Sequence, residues 1–174
     1  DGERLTWVAR AQGARQGLRY DPDMGSDARL SCSSSGWAWM STLEDNAGMA
    51  LVAKQGLGLP EQFGPAAPTT LQAVLDAVHA TRERGYSLTV DTYSLGLSAM
   101  SAPVRFAGQA AFGVVTVAGP TVRFTPEKMQ TLAPELISIT QQLAASSGAS
   151  PFFSLTAETG SAASTDGRKP IYAV

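Results

Sequence analysis

Between residues 69 and 145 the hydrophobic pattern changes from a helical period to strict alternation and then back again. Apolar residues at helical spacing predict a helix over Thr69–Glu83 and a longer one from Thr125 to about Ala145. Alternating residues between them predict three strands, at Tyr86–Val90, Leu97–Val104 and Ala111–Ala118. Antiparallel hairpins with grouped helices are typical of the α+β class, which we therefore expect here.

The residues before this region predict a strand and two further helices. Leu5–Val8 has strand character, and a short segment at Leu18–Tyr20 follows a glycine-containing loop. Serines at positions 31 and 33–35 precede an apolar run, which predicts a helix start and a helix over Gly36–Leu43. A second helix is predicted from about Glu44 to Gln55, and the segment Leu57–Pro68 is predicted to be a loop.

The two ends of the chain differ from its centre. Ser, Thr, Ala and Gly dominate Ser154–Gly167, so we expect one domain over residues 1–150 and a tail over 151–174 that is flexible or held by a partner. The sequence starts at Asp1 without a methionine and enters a strand pattern almost at once, which favours a fragment of a longer protein. No apolar stretch is long enough to span a bilayer, so no membrane partner is expected.

Charge and residue types exclude several functions. The chain has 13 Lys and Arg against 15 Asp and Glu, a net charge of -2, so it lacks the basic surface that DNA binding would need. The only histidine is His79 and the only cysteine is Cys32, too few for the usual zinc clusters. No nucleophile elbow or Walker loop occurs, and no G-x-G-x-x-G follows a strand. We predict no enzyme, no cofactor and no metal, and the lone cysteine favours the cytoplasm.

The serine cluster has two interpretations. A helix start leaves several amides unpaired, and the small side chains of Ser33, Ser34 and Ser35 would let a carboxylate or phosphate approach them. Alternatively, Ser31 or Ser33 simply caps its own helix.

Two neighbouring strands carry small residues on one face. Alternation places Leu97, Ala99 and Ser101 together, and likewise Thr116 and Ala118 on the next strand. Small residues on an inner face leave room for a ligand, with hydroxyls to orient it. Tight packing would explain the same pattern.

Five runs together resemble one family, the IclR-type bacterial transcription regulators, in their effector-binding domain. They occur in the family's order between about Leu5 and Ser147. The runs are Leu-Ser-Cys-Ser-Ser-Ser-Gly-Trp-Ala-Trp-Met from Leu30, Arg-Glu-Arg-Gly-Tyr-Ser from Arg82, Gly-Leu-Ser-Ala-Met-Ser-Ala-Pro-Val from Gly96, Val-Thr-Val-Ala-Gly-Pro from Val115, and Phe-Thr-Pro-Glu from Phe124.

The resemblance implies a GAF-like domain with a central antiparallel sheet flanked by helices. It implies a cytoplasmic regulator whose winged helix-turn-helix is a separate domain, absent from this chain, through which DNA would be bound. Members form homodimers or homotetramers, and their effectors are commonly small organic acids.

The resemblance also implies where a ligand would bind. The family's carboxylate site falls on the amides of Ser34 and Ser35, with an apolar wall near Tyr20, Ala28 and Leu97. Including the serine cluster and strand residues above, the predicted ligand-binding residues are Tyr20, Ser33, Ser34, Ser35, Trp39, Thr89, Leu97, Ala99, Ser101, Thr116 and Ala118.

The chain departs from the small-acid members, since Thr89, Ala99 and Ala118 stand where some have Asp, Cys and a second Ser. With Tyr20 and Trp39 nearby, the predicted pocket is less polar and more aromatic. It favours an aromatic carboxylate, although paired tryptophans also occur in cores and interfaces.

Two other functions stay open. One is a domain that only dimerises and has a filled pocket. The other is a GAF-like reductase, which would need a reactive cysteine with a resolving partner and has only Cys32.

Overall fold

The computed structural model describes residues 4–11, 24–58 and 61–148, together with the backbone of residues 171–173. These residues form helices and strands in the order β1 Leu5–Trp7, α1 Ser34–Met40, α2 Asp45–Gln55, α3 Leu71–Arg84, β2 Ser87–Val90, β3 Leu97–Val104, β4 Gly113–Pro120, α4 Pro126–Gly148 and β5 Ile171–Ala173. The predicted α+β class is confirmed.

One five-stranded sheet forms the centre of the described structure, in the order β1-β5-β4-β3-β2. β2, β3 and β4 pair antiparallel, as the hairpin pattern predicted. β5 lies between β1 and β4 and is parallel to both. The segment that the sequence pattern predicted as a tail therefore contributes a short strand at 171–173, and residues 149–170 lie outside the described residues.

The strand alternation separates two apolar cores on opposite faces of the sheet. On one face Met100 and Ala102 of β3 pack with Met129 and Leu136 of α4. On the other face α1 lies over β3, β4 and β2, and α3 packs against α1. That second core contains both tryptophans of α1 and Val114 of β4. Next to the start of α1, the residues that β3 and β4 place on this face include Ala99, Thr116 and Ala118, whose small size leaves space beneath the helix.

The helix ends follow the expected capping chemistry. Thr70 accepts a hydrogen bond from the amide of Ala73 at 3.1 Å and is the N-cap of α3. The helix itself begins at Leu71, two residues after the predicted start at Thr69. Gly85 ends α3 with φ +81°, a left-handed backbone that glycine adopts without steric cost. α1 begins at Ser34, inside the serine cluster rather than after it, because Ser33 is its N-cap.

The remaining predictions fall into two groups. The predicted helix at 44–55 and the predicted loop at 57–68 agree with the structure to within a residue over the described positions. The predicted short segment Leu18–Tyr20 lies outside the described residues. Within the described part of the chain, no helix is both long and apolar enough to cross a membrane.

Candidate functional site

A cavity lies between the start of α1 and the sheet face beneath it. Its volume is about 20 Å³, on the order of what one water molecule needs. Its wall consists of Trp7, Ala28, Ser33, Ser34, Ser35, Thr89, Tyr93, Leu97, Ala99, Thr116 and Ala118. The wall thus combines hydroxyl-bearing residues with aromatic and aliphatic ones.

The first turn of α1 contains two backbone amides without an acceptor among the described residues, and both of their residues line the cavity. Ser33 Oγ accepts the amide of Gly36 at 3.0 Å, so the capping interpretation of the serine cluster is realised. The amides of Ser34 and Ser35 make no hydrogen bond to the described residues, although both residues are buried. Buried amides without an acceptor are costly, and a ligand oxygen would satisfy them.

A line of side-chain hydroxyls crosses from α1 to the sheet. Ser34 Oγ lies 2.7 Å from Ser101 Oγ, which lies 2.8 Å from Thr116 Oγ1. Ser101 and Thr116 are register partners on β3 and β4, so strand pairing sets the second distance. Ser87 of β2 donates to the carbonyl of Ser34 at 2.7 Å and fixes the helix start over the sheet.

Tyr93 reaches the cavity from the loop between β2 and β3. The hydroxyl of Thr92 donates to the carbonyl of Cys32 at 2.7 Å, which ties this loop to the segment before α1. Asp91 has φ +55°, and its carboxylate accepts the amide of Gly96 at 2.6 Å. The ring of Tyr93 lies against that of Phe63, with centroids 5.5 Å apart. The loop is therefore held at both ends while its aromatic side chain forms part of the wall.

Eight of the predicted ligand-binding residues lie on this one cavity wall, and so does Ala28. The eight are Ser33, Ser34, Ser35, Thr89, Leu97, Ala99, Thr116 and Ala118. Their role as ligand contacts stays a prediction, and Tyr20 lies outside the described residues. Ser101 is fully buried behind the wall and touches it through Ser34 and Thr116.

Trp39 does not line the cavity. Its side chain is 1% exposed and packs in the core that α1 helps to form. Its indole N–H has no hydrogen-bond partner among the described residues. The cavity lies at the first turn of α1, so a residue one turn further along lies deeper in the core. Trp37, by contrast, donates its indole N–H to the carbonyl of Ser31 at 2.9 Å.

Sequence reasoning missed Trp7 and Tyr93. Trp7 could have been found, because alternation along β1 turns it to the same side as the buried Leu5. Tyr93 follows two turn residues in an irregular loop, where no periodicity indicates the direction of a side chain.

The titratable residues singled out from the sequence lie elsewhere or are unreactive. His79 Nε2 contacts Asp45 Oδ2 at 2.7 Å, and Arg82 contacts Asp45 Oδ1 at 2.8 Å, between α3 and α2. Two hydrogen bonds lower the pKa of Asp45, and the one from Arg82 has a larger effect than the one from His79. Burial raises the pKa of the Cys32 thiol from 9.0 to about 11, which is the opposite of what a reactive thiol needs. Among the described residues no group of three His, Cys, Asp or Glu could hold a metal ion.

The architecture is that of known solved structures. A putative IclR transcriptional regulator from Silicibacter sp. TM1040 matches with a TM-score of 0.70 and 20% identity, over 82% of this chain and 55% of that one. The inducer-binding domain of the PobR transcription factor from Acinetobacter, a double mutant in complex with 3-hydroxybenzoic acid, matches with a TM-score of 0.68 and 23% identity. That match covers 83% of each chain. The fold is therefore GAF-like and of the α+β class.

The family is established from the sequence. The family described as bacterial transcriptional regulator IclR C-terminal matches residues 1–145, and the chain belongs to it. The acetate operon repressor of Salmonella typhimurium is 23% identical over 126 residues, which are 72% of this chain and 45% of the repressor. The chain thus spans less than half the length of this curated relative. The relatives are transcriptional regulators and not enzymes.

Proposed function

We propose that this domain senses a small organic acid, and that an aromatic carboxylate is the class that its cavity suits best. The observation that carries the proposal is the pair of buried, acceptor-free amides of Ser34 and Ser35 on a wall that also holds Trp7 and Tyr93. A carboxylate would accept from the amides, where the helix dipole also favours negative charge. A ring would lie against the aromatic part of the wall.

The small volume of the cavity sets a condition on this function. About 20 Å³ does not admit a benzoate, so binding requires that part of the wall moves outward. We assign this movement to the loop that carries Tyr93, because the loop lies between β2 and β3, outside the ladder that pairs these two strands. A ligand would then select the open arrangement by its higher affinity for it. In a full-length regulator this change would act on subunit arrangement and on a DNA-binding domain outside this chain.

The test is a thermal-shift screen of the 174-residue chain against hydroxylated and amino-substituted benzoates and against aliphatic 2-oxo acids. A ligand at a hundred times its dissociation constant adds about 2.7 kcal/mol, which raises the melting temperature by roughly 5–10 °C for a domain of this size. Stabilisation by benzoates supports the aromatic class, and stabilisation by the aliphatic acids alone contradicts it.

A matched pair of variants ties a positive result to the cavity. Ala118→Leu adds three carbon atoms to the wall and should abolish the shift. Val117→Leu introduces the same side chain on the adjacent residue, which is 40% exposed and does not line the cavity, and should leave the shift unchanged. An equal loss in both variants would mean that the acid binds elsewhere.

A domain that only associates with its own copies is the second candidate, because the low cavity volume fits a filled pocket. It predicts no stabilisation by any acid, together with a stable oligomer in light scattering at micromolar concentration. The proposed sensing function and this alternative therefore differ in the thermal-shift screen itself.

A further inference from the structure

The hydroxyl line from Ser34 through Ser101 to Thr116 connects two parts of the cavity wall through a residue that is not on it. Ser34 and Thr116 both line the cavity, and Ser101, between them, is 0% exposed. The three hydroxyl oxygens make no other hydrogen bond to the described residues than the two within the line. The two end hydroxyls therefore keep hydrogen-bonding capacity, and both of their residues line the cavity.

Counting hydrogens limits what the line can offer. Each hydroxyl has one hydrogen to donate and lone pairs to accept. The two bonds within the line use two of the three hydrogens, so at most one hydrogen is left for a ligand. If Ser34 donates to the ligand, Ser101 must donate to Ser34 and Thr116 to Ser101, and Thr116 can then only accept. The reverse order leaves Ser34 as the acceptor.

The surroundings of the line keep its oxygens in place while the hydrogens reorient. Ser87 Oγ donates to the carbonyl of Ser34 at 2.7 Å and lies 3.3 Å from that of Ser101, which ties α1 to the strand below it. The pairing of Ser101 with Thr116 across β3 and β4 fixes the other distance. Reversal of the whole line is then the available change, since a single hydroxyl turned alone would leave a buried group unpaired.

We propose that Ser101 is a positioning residue that makes the cavity selective for acids bearing a hydrogen-bond donor, such as a hydroxyl or amino group, in addition to the carboxylate. This inference rests on the proposed function and specifies its ligand class. A carboxylate only accepts, so it takes the single hydrogen at one end of the line. The other end then presents lone pairs, which match a donor on the ligand and oppose a second acceptor.

The experiment measures dissociation constants by calorimetry for 3- and 4-hydroxybenzoate and for the 3- and 4-fluorobenzoates, which replace the donor by a group of similar size that cannot donate. With the unaltered chain we expect the better hydroxybenzoate to bind about tenfold more tightly than its fluoro analogue. In Ser101→Ala both end hydroxyls are released from the line and each can donate, so the ratio should fall below about threefold.

Ser98→Ala is the matched control. Ser98 lies on the same strand, is equally buried, and also bonds a hydroxyl, that of Thr121 at 3.1 Å, but it does not line the cavity. It should keep the tenfold ratio. If Ser101→Ala does not fold, Thr116→Val removes one end of the line with little change of shape and should also lower the ratio.

The outcomes separate the two proposals. If none of the benzoates binds, the proposed aromatic ligand class fails, and with it this inference. If benzoates bind but hydroxyl and fluoro analogues bind equally, the sensing function stands and the donor selectivity is overturned. If the ratio survives in both Ser101→Ala and Thr116→Val, the hydroxyl line is not its cause.

Discussion

Two glycines in neighbouring helices should respond in opposite ways to the same substitution by alanine. Gly36 lies in the first turn of α1 and Gly48 in α2. A Cβ atom on Gly36 would lie 2.7 Å from both Cα and the carbonyl oxygen of Leu30, whereas one on Gly48 would meet the Met40 side chain at 3.6 Å. The first distance is a collision with backbone, and the second is an ordinary van der Waals contact.

The magnitudes follow from two opposing terms. Alanine is favoured over glycine within a helix by at most about 1 kcal/mol. Forcing an extra carbon into a packed region costs about 1–3 kcal/mol, and the upper end applies at Gly36 because backbone atoms cannot rotate away. We therefore expect Gly36→Ala to lower the free energy of unfolding by roughly 2 kcal/mol. Gly48→Ala should raise it by up to about 1 kcal/mol.

Urea unfolding followed by tryptophan fluorescence measures both changes, and a constant m value would show that the midpoint shift reports stability. The collision should also push the start of α1 outward, so acid binding should weaken in Gly36→Ala and not in Gly48→Ala. A Gly36→Ala chain as stable as the unaltered one would refute the close approach of α1 to Leu30, on which the position of the cavity amides depends.

Three further predictions concern buried and paired groups. Because burial raises the pKa of Cys32 to about 11, the folded state retains the thiol proton more strongly than the unfolded state, and stability is lost as pH rises from about 9 towards 11. Cys32→Ala should remove that part of the loss in pH-dependent urea titrations, and thiol reagents should modify the unaltered chain only after unfolding. Trp37→Phe should cost about 1 kcal/mol more than Trp39→Phe in the same assay, because among the described residues the Trp37 indole N–H has a hydrogen-bond partner and the Trp39 indole N–H has none. Equal costs would contradict this. Asp45→Asn should reduce the loss of stability below about pH 4. Arg82 holds the pKa of the Asp45 carboxyl low, so the stabilisation from this ion pair disappears when the carboxyl is protonated. If stability falls equally with acid in Asp45→Asn and in the unaltered chain, the ion pair contributes nothing.

Local periodicity and backbone chemistry were enough to predict several strands and helix ends of this protein. The alternation of β3 and β4 predicted both the strands and the face on which Ala99 and Thr116 lie, because side chains alternate along any strand. The serine cluster predicted a helix start, because serine side chains satisfy the amides that such a start exposes. The resemblance to the family motifs then predicted a carboxylate site at that same start.

Which residues meet across the chain depends on long-range packing, and the sequence patterns did not reveal it. The contact between Ser34 and Ser101 joins residues 67 positions apart, and no local pattern encodes such a distance. Tyr93 reaches the wall because its loop is tied to Cys32, and Trp39 misses it because the cavity ends at the first turn of α1. The insertion of β5 between β1 and β4 is likewise a long-range pairing. Local sequence fixes the direction of a side chain within its own element, whereas its neighbours depend on how separate elements pack.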